Sequence, residues 1–222
     1  MLRGVIFDHD GTLVDTEKQH YRVWNQLLNN LGHHLSEDEY IREHSGVPTI
    51  GSATYLVKRF DLPMTPEQLC HTKEKQLQAQ TEVPALMPGA REILLHLHRH
   101  RVPMAVATGA RLLEVERNLH NHELHSLFQA VCSSSHVERN KPAPDVYLLA
   151  AEKLNLAPAE CLAVEDTLTG MRSALAAGMQ CVVIPSADTE QDFSAATHVM
   201  RDLDTLLRWC SDTLIEPIMA EA

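Results

Sequence analysis

The chain has 222 residues, of which 44% are hydrophobic and 22% charged, and its formal net charge at pH 7 is −11. This composition is that of an ordinary soluble globular protein, and it excludes a disordered or fibrous chain. A chain this acidic has no overall attraction for a phosphate backbone, so nucleic acid is not expected as a partner.

The location of the protein is predicted from what the sequence lacks. Its longest apolar stretch is shorter than the ~18 residues of a membrane span, and its first residues do not show the pattern of a signal peptide. The cysteines are widely spaced, odd in number and without a C-x-x-C pair: Cys70, Cys132, Cys161, Cys181 and Cys210. We therefore expect a cytoplasmic protein with reduced thiols, no membrane partner and, by default, a monomeric state.

Short apolar runs alternate with amphipathic stretches over most of the chain. The apolar runs predict buried parallel strands at residues 2–7, 103–107, 130–132, 161–164, 180–184 and, more weakly, 198–200. The amphipathic stretches predict helices at residues 90–99, 112–121, 145–155, 169–177 and 203–210. This alternation predicts an α/β fold with a doubly wound parallel sheet, a Rossmann-like core.

Residues 16–86 break the alternation, because they show helical patterning alone. Thr16 and Gln19 have capping-box spacing and predict the start of a helix, and further helices are predicted at residues 37–44, 49–60 and 65–80. A block of about 70 residues is too long for an ordinary α/β connection. We therefore predict a core domain of residues 1–15 and 87–222, with an α-helical cap domain of residues 16–86 inserted after the first strand.

The first strand ends in the sequence Asp8-His9-Asp10-Gly11-Thr12. It places two carboxylates at the carboxyl edge of the sheet, where open α/β sheets bind ligands. Two carboxylates at one strand end repel one another unless a cation lies between them. The alternative is an Asp-rich surface turn, but the apolar strand before it directs both acids to one site.

Other polar groups follow the later strands. Thr108 and Gly109 come after the second strand, Lys141 lies in a proline-rich loop before a helix, and Glu165 and Asp166 follow the fourth strand. Carboxylates are ligands that Mg²⁺ prefers, and a hydroxyl and a lysine can donate to phosphate oxygens. This set of groups is typical of phosphoryl transfer.

The order and spacing of these motifs, D-x-D-G-T, T-G, K-P and E-D, resemble those of the haloacid dehalogenase superfamily. The helical insertion is similar to the cap of its β-phosphoglucomutase-like branch, and the resemblance covers residues 2 to about 207. It implies an enzyme that acts on a small phosphorylated metabolite. It also implies that Asp8 forms an aspartyl-phosphate, while Asp10 protonates the leaving oxygen and later deprotonates water.

The resemblance also implies how the remaining motif residues act. Mg²⁺ is expected on Asp8, the Asp10 carbonyl and Asp166, with Glu165 either as a further ligand or as a partner of the ligands. The phosphoryl oxygens are expected to be bound by Thr108, Gly109 and Lys141.

The cap sequence bears on whether the protein is a phosphatase or a mutase. β-Phosphoglucomutases hold a second phosphate with a lysine before and an arginine after a Gly-Val pair, and Ser45 and Thr49 stand at those positions here. The loss of both cations favours a phosphatase acting on a sugar phosphate, similar to the fructose-1-phosphatase type. Arg42, Lys73 or Lys75 could supply a cation from another position, which keeps the mutase as an alternative, and a non-catalytic binding relative is a third.

Candidate substrate residues in the cap are His20, Arg42, His44 and Thr49. Another residue with an open role is His9, which stands between the two aspartates where this family usually carries an apolar residue. Its ring could contact substrate or simply pack.

Overall fold

The computed structural model describes residues 1–80, 82–186 and 191–214. It divides into two compact units. The core unit comprises Met1–Asp15 and the described part of Ala85–Ala222, and the helical unit comprises Thr16–Pro84. The second boundary lies two residues before the predicted one, because Ala85 accepts a backbone hydrogen bond from Asp15 and Leu86 forms a bridge with Val14.

A six-stranded parallel sheet in the order β3-β2-β1-β4-β5-β6 forms the centre of the core unit. Its strands are β1 (Gly4–Phe7), β2 (Met104–Ala107), β3 (Ala130–Cys132), β4 (Cys161–Glu165), β5 (Gln180–Val183) and β6 (His198–Val199). The chain adds strands on one side of β1 and then crosses to the other side at β4, so the switch point of this sheet lies between β1 and β4. Phe7 pairs with Val164, which brings the residues after both strands to the same place at the carboxyl edge.

The helical unit contains α1 (Glu17–Asn30), α2 (Glu37–Glu43), α3 (Thr49–Phe60) and α4 (Pro66–Ala79) around an apolar core of its own. The capping box predicted at Thr16 and Gln19 is wrong, although α1 does begin after Thr16. The Thr16 backbone has helical angles and its side chain caps no N–H group, whereas a capping residue needs an extended backbone to aim its oxygen at the first turn. The Gln19 side chain instead donates to the Glu82 carbonyl.

The helices of the core unit are α5 (Ala90–Arg99), α6 (Leu112–Asn121), α7 (Asp145–Leu154), α8 (Leu168–Ala176) and α9 (Leu203–Thr213). Alternate residues of β1 point to opposite faces of the sheet, as a strand requires. Val5 and Phe7 pack on the side of α5, α6 and α9, and Ile6 packs on the side of α7 and α8. Helices therefore cover both faces, which confirms the predicted doubly wound fold. In the described part of the chain, no helix has the length and apolar character that crossing a membrane requires.

Candidate active site

Asp8 is the first residue after β1 and lies at the switch point of the sheet. Its backbone N–H donates to the Val164 carbonyl of β4 at 2.9 Å, so the strand ladder holds its main chain in place. The side chain is buried, and its Oδ1 accepts a hydrogen bond from Lys141 Nζ at 2.5 Å. The sheet and the lysine together give this carboxylate one orientation.

Lys141 contacts a second buried carboxylate, because its Nζ also donates to Glu165 Oε1 at 2.6 Å. The Tyr147 hydroxyl donates to the same oxygen at 2.6 Å, and the tyrosine ring lies 4.9 Å from the ammonium. Thr167 Oγ1 donates to Glu165 Oε2 at 3.3 Å. Both oxygens of Glu165 therefore have donors, and this arrangement suits a residue that anchors Lys141.

Burial and the charges of neighbouring residues shift the pKa values of Asp8 and Lys141. The pKa of Asp8 is raised to about 7, chiefly because the carboxyl group is buried; Lys141 lowers this pKa, and the neighbouring Glu165 and Asp10 raise it. Burial alone would lower the pKa of Lys141, but Asp8 and Glu165 outweigh it, so the pKa is raised and the lysine stays charged. A further cation beside Asp8 would favour its ionised form, which is the form that a nucleophile needs.

The carboxylates could provide that cation with a site. One oxygen each of Asp8, Glu165 and Asp166 lies within 4.8 Å of the others. Thr12 Oγ1 donates to Asp166 Oδ1 at 3.3 Å and so orients the most exposed of the three acids. All the donors are hard carboxylate oxygens, and this donor set fits Mg²⁺.

Two glycines provide the space that the carboxylates of Asp166 and Glu165 occupy. Gly11 has a φ of +74°, in the left-handed region that favours glycine, and a Cβ atom there would collide with the Asp166 carboxylate. Gly170, in the first turn of α8, faces Glu165, and a Cβ atom there would overlap its carboxylate. The glycine five residues after Glu165 is therefore needed because any larger residue would collide with the Glu165 carboxylate.

The loop after β2 contacts the loop that carries Lys141. Thr108 is buried, and its hydroxyl accepts from the Ala110 N–H at 3.0 Å. The Gly109 carbonyl accepts from Asn140 Nδ2 at 3.2 Å, which ties the two loops together. The residues predicted to bind phosphate therefore lie on loops that are joined by a direct hydrogen bond.

Sequence reasoning missed Tyr147 and Asn140 as parts of this site. Asn140 adjoins Lys141 and could have been suspected from that position. Tyr147 carries no such signal, because its contact with Glu165 depends on how α7 packs against the sheet.

Asp10, two residues after Asp8, is partly exposed, with 26% of its side-chain surface accessible. Its Oδ1 lies 3.0 Å from Nδ1 of His9, whose ring is completely buried. Burial alone would lower the pKa of His9, but the charge and hydrogen bond of Asp10 outweigh it, so the pKa is raised.

Arg42 and His44 of the helical unit have opposite environments. Arg42 is exposed and pairs with Glu43 at 2.9 Å. His44 is buried between the rings of Tyr40 and Tyr55, and within the described part of the chain neither of its ring nitrogens has a hydrogen-bond partner. Burial lowers its pKa. His44 therefore packs inside the helical unit as a neutral ring.

Of the other candidates in the helical unit, His20 is half-buried and Thr49 lies beside the buried Lys73. His20 belongs to the first turn of α1. Thr49 begins α3, and its hydroxyl accepts from Lys73 Nζ at 3.4 Å. The ammonium of Lys73 also lies 5.2 Å from the centre of a Trp24 ring. Lys75, in contrast, is exposed.

The family to which the chain belongs follows from its match to known proteins. Residues 5–184 match the family model described as haloacid dehalogenase-like hydrolase. The chain belongs to this family. That match confirms the resemblance identified from the four motifs, and it covers the strand ends and loops that bring Asp8, Lys141 and Asp166 to one edge.

Relatives of this haloacid dehalogenase-like hydrolase include named phosphatases. A probable pseudouridine-5'-phosphatase of Drosophila melanogaster is 37% identical over 210 residues, covering 89% of this chain and 88% of that protein. A fructose-1-phosphate phosphatase of Escherichia coli (strain K12) is 32% identical over 179 residues, covering 81% and 94% of the two chains. A crystal structure of a mutant CbbY from Rhodobacter sphaeroides with xylulose-(1,5)-bisphosphate has a TM-score of 0.77 and 27% identity, covering 91% and 95%. The fold is therefore shared along nearly the whole chain.

Proposed function

We propose that this protein is a Mg²⁺-dependent phosphatase that hydrolyses a small phosphate monoester, a sugar phosphate, through an aspartyl-phosphate on Asp8. The observation that carries the proposal is the buried Asp8 carboxylate at the sheet switch point, in contact with Lys141 and close to Asp166. The names of the relatives agree with this chemistry, since they include phosphatases of phosphorylated sugars and of a nucleoside phosphate.

In the first step, an Asp8 oxygen attacks phosphorus, and the bond between phosphorus and the ester oxygen breaks. Asp10 donates a proton to the departing oxygen, so the alcohol leaves neutral. Lys141 and the Thr108 hydroxyl can donate to the phosphoryl oxygens, which carry the developing charge. In the second step, Asp10 takes a proton from water, the water oxygen attacks phosphorus, and Asp8 is regenerated as inorganic phosphate leaves.

Asp8, Asp166 and the Asp10 carbonyl are the groups that would hold Mg²⁺. When bound, the ion would supply positive charge that offsets the repulsion between the carboxylate and the phosphate. Glu165 has a different part in this proposal, because its oxygens already accept from Lys141, Tyr147 and Thr167. It keeps the lysine in place.

The metal requirement leads to the first prediction. Chelation with EDTA should abolish activity, and added Mg²⁺ should restore it. Asp166→Asn should raise the Mg²⁺ concentration that gives half-maximal activity by roughly tenfold or more, because an amide is a weaker ligand than a carboxylate. The exposed Asp192→Asn is the matched control and should leave this concentration unchanged. An Asp166→Asn enzyme with the wild-type Mg²⁺ dependence would contradict the assignment.

The substrate class is tested by measuring phosphate release from a panel of monoesters, with and without Mg²⁺. The panel includes fructose 1-phosphate, other hexose phosphates, pseudouridine 5'-phosphate and, as an ester without a sugar, phosphoserine. We expect metal-dependent release, with the highest kcat/KM on a phosphate attached to a sugar. Release that prefers a non-sugar ester would overturn the substrate class, and no release from any ester would favour a non-catalytic binding relative.

The mutase is a second candidate because of one observation, the buried Lys73 ammonium beside Thr49. A cation from this position could stand in for those missing at Ser45 and Thr49. The discriminating assay supplies β-glucose 1-phosphate and couples the reaction to detection of glucose 6-phosphate. We expect inorganic phosphate to be the product. Formation of glucose 6-phosphate would establish the mutase instead.

A further inference from the structure

His9 occupies a constrained position between the proposed nucleophile and the proposed acid-base residue. Its ring is completely buried. Its main-chain carbonyl accepts hydrogen bonds from the backbone N–H groups of Leu13 and Val14, at 2.9 and 3.0 Å. These two bonds close the turn after β1, so the direction in which the His9 side chain leaves the backbone is determined by the turn.

The two nitrogen atoms of the His9 ring differ in their hydrogen bonding. Nδ1 lies 3.0 Å from Asp10 Oδ1, whereas Nε2 is buried without a hydrogen-bond partner among the described residues. Burying an unpaired polar atom costs free energy, because the atom loses its hydrogen bond to water and gains none in return. An apolar residue at this position would avoid that cost. Stability therefore does not explain the histidine, and its contact with Asp10 is the feature that distinguishes it from an apolar residue.

A direct contact between His9 and substrate does not fit this placement, because the ring exposes no surface. The neighbouring Asp10 side chain is 26% exposed, so it is the member of the pair that a leaving group or water can reach. Whatever His9 contributes must therefore pass through Asp10.

We propose that His9 is a positioning residue for Asp10, an inference that rests on the acid-base role of Asp10 in the proposed function. Its Nδ1–H donates to Oδ1 of the Asp10 carboxylate and holds the carboxyl group in one rotamer. With its carboxyl group held in this way, Asp10 exchanges a proton with the leaving oxygen and with water. Proton transfer depends steeply on the position of the donor, so a fixed rotamer increases the rate of the step in which the alcohol leaves.

Three substitutions separate this role from simple packing. His9→Leu fills the site without any hydrogen-bond donor. His9→Asn can place an amide nitrogen where Nδ1 lies, and His9→Gln has its amide one bond farther along the side chain. Each variant is assayed for kcat/KM on fructose 1-phosphate, or on the best sugar phosphate of the panel, and on p-nitrophenyl phosphate. The alkoxide of a sugar needs a proton in order to leave, whereas p-nitrophenolate is stable as an anion.

We expect His9→Leu to lose roughly 10- to 100-fold in kcat/KM on the sugar phosphate and less than about threefold on p-nitrophenyl phosphate. His9→Asn should recover most of the loss, and His9→Gln should not. Thermal unfolding should show that His9→Leu is at least as stable as the wild type, because the unpaired Nε2 is gone. Equal losses on the two substrates, or no loss on either, would overturn the inference.

Failure of the proposed function would look different. A wild-type enzyme without phosphatase activity, or an Asp10→Asn variant as active as the wild type on sugar phosphates, would remove the acid-base role itself. An active wild type, an impaired Asp10→Asn and an unimpaired His9→Leu would refute the role of His9 alone.

Discussion

Asp8→Asn is expected to lower kcat/KM by roughly four orders of magnitude or more, because an amide cannot act as the nucleophile. The substitution keeps the size of the side chain and removes the buried charge that Lys141 contacts at 2.5 Å. Phosphate release from the best substrate measures the loss. Acid quenching during turnover, followed by peptide mass analysis, should detect a phosphoryl group on the Asp8 peptide of the wild type and none in the variant.

The variant should remain folded, because Lys141 keeps its second partner, Glu165. Its melting temperature and the activity of Asp192→Asn serve as controls. A folded Asp8→Asn enzyme within a hundredfold of wild-type activity would rule out an essential role of Asp8 as nucleophile. A phosphoryl group mapped to another residue would show that the nucleophile lies elsewhere.

Gly170→Ala is expected to lower kcat/KM by about 100-fold, because a displacement of about 1 Å in a positioning group has an effect of this size. The new Cβ would overlap the Glu165 carboxylate, so Glu165 must move, and Lys141 and Tyr147 lose the partner that they share. Crowding of this kind also costs about 1–3 kcal/mol of stability. Activity assays and thermal unfolding measure the two effects.

Gly51→Ala provides the matched control. Gly51 also lies inside a helix, α3, and its nearest neighbour for a new Cβ is the end of the Val47 side chain at 3.0 Å, which can shift. Alanine favours a helix over glycine by about 1 kcal/mol. Both variants share this gain in helix stability. A loss of activity that occurs only in Gly170→Ala is therefore caused by the overlap with Glu165. Wild-type activity in Gly170→Ala would mean that Glu165 does not need its observed position.

The core of this fold could be predicted from local sequence patterns. Apolar runs of three to six residues between amphipathic stretches mark parallel strands, and residues that follow parallel strands meet at one edge of the sheet. For that reason Asp8 and Glu165 could be placed together from sequence alone, and the register of Phe7 against Val164 brings them there. The capping box at Thr16 failed because its spacing says nothing about the backbone angles of the capping residue.

The sequence by itself determined the family, the alternating α/β core, the helical insertion and the identity of the acidic, hydroxyl and lysine groups. These features depend on periodicity and on residues close in the chain. Only the tertiary structure decided which partners the groups have: that Tyr147 bonds Glu165, that Gly170 makes room for it, and that the His9 ring turns inward to Asp10. Such contacts depend on how helices pack across strands and on which side chains become buried, and no local pattern specifies either.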